Sequence, residues 1–183
     1  LWIGYRFTDQ LRVQLGQAKV PYTRYRLNSF QHRPVVEWSY DTWYFGCERQ
    51  IGITFHNGMS RPPPLEYQVG VYTGVNARAS NGVGMARVYA APRSSPSSLA
   101  DPAPLDAMHT EIVGHLAYNT GDIVVGRPSD LEGGPPRFSF GLSVAIDLDP
   151  VPRQDMRLRL APEAEVRLFG LALTGVFHLG LVD

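Results

Sequence analysis

Five basic residues gather early in the chain: Lys19, Arg24, Arg26 and Arg33 in the stretch KVPYTRYRLNSFQHR, and Arg49 soon after it. Ammonium and guanidinium groups at this density attract anions, and a ring of them turns a water path into an anion-drawing constriction. The same residues also read as a solvated loop kept wet by arginine. Arg12 lies just upstream in LRVQL and charges the polar face of that stretch. Of 17 basic residues only Lys19 is a lysine. Arginine suits a bidentate grip on an oxyanion, although a GC-rich coding sequence yields the same bias.

Other chemistry is thinner. His109, Glu111 and His115 share strand parity, but the spacing i, i+2, i+6 spreads them too far along a strand for one ion, so they read as lumen or surface lining. Asp147 and Asp149 beside Pro150 suggest a turn more than a calcium site. Cys47 is alone, which rules out an internal disulfide and a cysteine metal site. The sequence contains no P-loop, Gly-rich dinucleotide turn or Ser-His-Asp signature. Neither a catalytic activity nor a cofactor is expected. A formal net charge of zero gives no global field for nucleic acid.

The elements that must position these residues are strands. In Leu1–Thr8 the residues Leu1, Ile3, Tyr5 and Phe7 alternate with Trp2, Gly4, Arg6 and Thr8. Leu11, Val13 and Leu15 alternate with Arg12 and Gln14; after Gly16 the phase slips, which predicts a bulge. Further alternation runs through 48–57, 65–72, 108–119, 138–148, 163–169 and 171–181. Thr8-Asp9-Gln10 and Gly170 are turn signals, and Pro62-Pro63-Pro64 cannot sit in a central strand. With 85–90 taken as loop, about eight strands result, joined by short turns on one rim and longer loops on the other. No apolar run reaches the length of a membrane helix.

Alternation alone fits two architectures. A soluble sheet packs its apolar face on a core, as a β-sandwich or lipocalin-like binding module does. A transmembrane β-barrel turns that face to lipid and its polar face to a lumen. Small or charged groups on the polar faces (Gly4, Arg6, Arg12, Gln14, Glu66, Gln68, Gly70, Glu163, Glu165, Arg167) and aromatics near strand ends (Tyr5, Phe7, Phe55, Tyr72, Phe138, Phe177) favour the barrel. The expected fold is therefore all-β, an antiparallel transmembrane barrel, with 1–183 a single barrel region and 75–107 an inserted loop. A structural outer-membrane barrel that conducts nothing is a third reading.

Five stretches carry a family resemblance: GQAKVPYTRYRL, RQIGITF, LEYQVGVYTG, the region from Val113 to Glu132 with HLAYNTG and SDLEG, and Glu163–Phe177. In order and spacing they resemble the phosphate-selective porins of the O/P type. The resemblance implies an outer-membrane channel for passive diffusion of small solutes, anion-preferring and phosphate-like. It further implies outer-membrane lipid as a partner, a bacterial outer-membrane location and a homotrimer, and it makes Tyr22–Arg33 the loop that folds into the lumen. The anion pathway would comprise Arg12, Lys19, Arg24, Arg26, Arg33, Arg49 and His115. His115 stands where the family pattern has an arginine, which replaces a permanent charge by a titratable one and weakens phosphate selectivity. Family barrels use more strands than are visible here and end on an aromatic rather than on Leu181-Val182-Asp183, so the chain is expected to be part of a larger barrel.

Overall fold

The computed structural model describes residues 1–27, 45, 49–58, 62–73, 110–123, 130, 133–148 and 156–182. Arg33, Cys47, His109, Asp149 and the loop expected at 75–107 lie outside the described residues. The strands are β1 (Trp2–Arg6), β2 (Arg12–Lys19), β3 (Arg49–His56), β4 (Leu65–Tyr72), β5 (Glu111–Thr120), β6 (Arg137–Asp147), β7 (Met156–Leu168), β8 (Leu171–Val176) and β9 (Leu179–Val182), with one helical turn, α1 (Arg24–Leu27), after β2. They form one antiparallel sheet in the order β1 to β8, each strand beside its sequence neighbours, and β9 continues β8 along β7. The sheet is open: β1 pairs with β2 and β8 with β7, not with each other. Among the described residues no helix is long and apolar enough to cross a membrane.

The turns follow from local chemistry. The β1–β2 connection closes with the amides of Phe7 and Thr8 both donating to the Leu11 carbonyl. Between β7 and β8, Phe169 (φ 49°) and Gly170 (φ 93°) make the two-residue turn with positive φ at both positions that matches strand twist. In this meander the strand ends joined by connections one, three, five and seven lie at this near rim and those joined by two, four and six at the far rim, while Phe177 and His178 link β8 to β9 in one line along β7.

Two sequence expectations need correction. No bulge interrupts β2 against β3: the register runs unbroken from Arg12↔His56 through Gly16↔Gly52 to Lys19↔Arg49. Gly16 is instead a kink without an inserted residue. Its φ is 126°, and a Cβ there would stand 2.6 Å from the Leu1 carbonyl oxygen. Ala18 and Val20 keep the inward parity of Gln14 and are buried, Val20 within an apolar cluster with Tyr72 and Val113.

The seventh strand also begins earlier than Glu163, at Met156. Pro162 masks it in the sequence, and its effect appears on the neighbouring strand. The Phe177 amide donates to the Pro162 carbonyl at 3.0 Å. Pro162 has no N–H to return the bond, so the ladder breaks there and one strand divides into β8 and β9.

The faces of the sheet are reversed relative to a water-soluble protein. Residues with the parity of Ile53, Val69, Leu116, Tyr118, Phe140 and Leu142 are bare, whereas Glu66, Gln68, Glu111, His115, Asn119 and Ser143 on the opposite face are at most 3% exposed. A small apolar cluster does form on that covered face, where Val20 and Tyr22 pack on Tyr72, Val113, Ala145 and Ala161.

Tyr72 also fixes the β3–β4 region. Its hydroxyl lies 2.6 Å from Thr54 Oγ1, and its ring crosses the glycines beside it. A Cβ on Gly70 would stand 2.6 Å from the Tyr72 hydroxyl and 2.6 Å from the Ile53 carbonyl oxygen. Gly70→Ala is therefore expected to cost about 1–3 kcal/mol through overpacking, read as a lower urea midpoint.

Candidate functional site

The covered polar face is the candidate site, and the chain between β2 and α1 is laid onto it. This segment descends the face from the far rim. Tyr22 sits on the apolar patch, the Thr23 amide donates to Ser143 Oγ on β6 (3.0 Å), and the Arg24 amide donates to Glu163 Oε2 on β7 (2.8 Å). The Arg24 guanidinium reaches furthest. Its Nη2 donates to Glu66 on β4 and to Asn119 Oδ1 on β5 (2.9 Å), and its Nη1 lies 4.0 Å from Glu165 on β7. Thr23, with φ 68°, makes the turn that aims Arg24, and Thr23 Oγ1 accepts from the Arg26 amide.

The carboxylates are saturated in turn. Glu66 also accepts from Gln68 Nε2 (2.8 Å) and Asn119 Nδ2 (3.2 Å), and Ser139 Oγ donates to Asn119 Oδ1 at 2.7 Å. Further along the wall Arg159 pairs with Glu111, which also accepts from Gln50 Nε2 at 2.7 Å. Arg167 Nε donates to Glu165 at 2.5 Å. At the near rim Arg137 pairs with Asp130, and Asp130 Oδ2 accepts the Gly170 amide. Buried charges persist only where partners meet them, and this face meets Arg159 across strands and Arg167 from two residues away on its own strand.

The sequence-predicted residues separate into three groups. Arg24 and Arg26 are buried in the descending segment. Arg12 and His115 belong to one lateral row of the inner face, through the registers Arg12↔His56, His56↔Gln68 and Gln68↔His115. His115 Nδ1 meets Ser143 Oγ at 2.9 Å, while its Nε2 stands 3.8 Å from Glu163 and 4.0 Å from Glu66. In this row Arg12 Nε, His56 Nδ1, Gln68 Oε1 and His115 Nε2 are buried without a hydrogen-bond partner among the described residues. Lys19 and Arg49 stand opposite each other at the far rim, with the parity of the apolar face. Arg49 is exposed, and Lys19 Nζ donates to the carbonyls of Arg26 and Leu27.

Sequence reasoning placed Glu66, Glu163, Glu165 and Arg167 on the inner face without seeing that they hold the basic residues. It missed Arg159, whose strand was not recognised. Among the described residues no group of three His, Cys, Asp or Glu side chains is arranged to hold a metal.

A pleated wall with paired charges on its covered face and bare leucine, valine and phenylalanine on the other defines a class: the porin-like transmembrane β-barrel, which meets lipid with its apolar face. The family model for phosphate-selective porin O and P matches residues 1–110, and the chain belongs to that outer-membrane porin family. The match includes GQAKVPYTRYRL, RQIGITF and LEYQVGVYTG and runs through residues 75–107. No curated protein and no solved structure matches the chain.

Proposed function

We propose that this chain forms wall and constriction of a bacterial outer-membrane channel through which small solutes diffuse passively, with a preference for anions such as phosphate. The reversal of the two faces carries the reading, because a sheet that leaves its leucines bare and covers its carboxylates suits hydrocarbon outside and a polar interior. Selection then depends on width and field, with no covalent chemistry. Arg12 and His115 belong to the wall row and Arg26 to the inward segment. Arg33 adds charge to the same connection, and Lys19 and Arg49 add theirs at the far rim. Outer-membrane lipid and a homotrimeric assembly accompany this reading.

Planar-bilayer recording of the full-length protein tests it. Stepwise conductance is expected, with a salt-gradient reversal potential on the anion side. Arg12→Gln is expected to move that potential toward cations without closing the channel. A bilayer that stays silent contradicts conduction, and cation preference contradicts the assignment to anions.

A further inference from the structure

We infer that Glu66, seconded by Glu163, is a positioning residue that clamps the inward segment 20–27 to the wall through Arg24, so that Arg24 serves as the pin of the constriction rather than as a ligand for passing ions. The inference rests on the channel reading for its functional consequence; the clamp itself stands on contacts within the described residues.

Arg24 joins three wall strands at once. Its guanidinium bonds Glu66 on β4 and Asn119 on β5, its backbone amide bonds Glu163 on β7, and Glu165 of the same strand lies at 4.0 Å. The Arg24 and Glu66 side chains are 6% and 1% exposed, so the pair is shut away from a solute. Two carboxylates, Glu66 and Glu165, face this one guanidinium and a third, Glu163, takes its backbone amide, a field that repels an anion instead of inviting it. Nη2 alone bridges Glu66 and Asn119, two strands from one nitrogen, and arginine loses little freedom per bond once docked. The rest of the segment is seated by apolar contact at Val20 and Tyr22 and by the bond from Thr23 to Ser143. Arg24 carries it down to the level of Glu66 and Asn119.

The alternative, in which Arg24 attracts anions directly, makes opposite predictions for two variants. Losing Arg24 would lower anion preference, and losing the Glu66 charge would raise it. A clamp instead makes Arg24→Gln and Glu66→Gln act in the same direction, because each frees the segment and widens the path. Both are expected to raise single-channel conductance roughly twofold, whereas Arg24→Lys, which keeps a cation against Glu66, stays nearer to wild type.

Limited trypsin digestion of the full-length protein in detergent supplies a second reading that needs no current. In the wild type, cleavage after Arg24 and Arg26 is expected to lag well behind cleavage after the exposed Arg6, and in Glu66→Gln or Arg24→Gln the remaining arginine sites of the segment should become fast. Should Glu66→Gln not fold, Arg24→Gln carries both measurements. Wild-type cutting at Arg24 as fast as at Arg6 overturns the clamp, as does a pair of folded variants with opposite selectivity shifts and unchanged conductance. A wild-type channel that passes no current ends the channel reading alone, and the protease result then decides the clamp.

Discussion

Leu142→Arg is expected to cost about 2–4 kcal/mol of folding stability in a lipid bilayer, because it places a guanidinium at mid-strand against hydrocarbon. Leu142 lies near the middle of β6, opposite Leu116 on β5, and the two are 47% and 55% exposed. In a water-soluble sheet an exposed leucine replaced by arginine changes stability by only about 0.5 kcal/mol in either direction. Urea unfolding of the full-length protein in vesicles separates the two cases. The inward neighbour Ser143 is a poor control because it holds both Thr23 and His115. Arg at a strand end such as Phe138 is the better one, since the penalty near the interface falls to about 0–1 kcal/mol.

The second large effect concerns the polar face. Glu111→Ala removes the carboxylate that meets Arg159, with both side chains under a tenth exposed. A buried guanidinium left without its partner destabilises by about 3–5 kcal/mol. Removing both, as Glu111→Leu with Arg159→Leu, should recover much of that loss, because desolvation of the pair disappears along with its attraction. Were this level of the wall open to water, the single variant would cost at most about 1 kcal/mol, as exposed pairs do. The same denaturation series reads all three proteins. Arg159 also stacks over Tyr22, 5.6 Å from the ring centroid, so the double variant should loosen the inward segment slightly.

What the sequence disclosed was parity. Alternation at Leu11–Leu15, Leu65–Tyr72 and Phe138–Leu148 is a local property, and each of those faces is as the pattern implies. The meander order also followed, because short turn signals at Thr8–Gln10 and Gly170 leave neighbouring strands little choice but to pair. One local signal misled. Gly16 resembles a slip because the residues after it invert polarity, yet Ala18 and Val20 are apolar for a tertiary reason, their burial on the inner face. The alternation read over 163–169 covers only the second half of β7, which accommodates Pro162 by giving up the return bond to Phe177.

The site was legible only in part. The basic residues were visible, and so was their placement in one loop and one wall. Their partners were not. Arg24 meets Glu66 and Glu163 at sequence separations of 42 and 139 residues, and no periodicity links them. A count of arginines therefore overstated the field open to solutes, since Arg24 and Arg159 are matched by carboxylates distant in sequence and Arg167 by its strand neighbour Glu165.

The outward face itself is tested most directly with nitroxide labels placed one at a time at positions 116 to 119 of β5 in the full-length Cys47→Ser protein, reconstituted in vesicles. Labels replacing Leu116 and Tyr118 should be relaxed strongly by oxygen dissolved in the hydrocarbon and weakly by a water-soluble nickel complex. Labels at Ala117 and Asn119 should show little lipid contact. Alternation in that sense places the bare leucines in lipid; labels at 116 and 118 that are shielded from oxygen, or reached mainly by nickel, would contradict it.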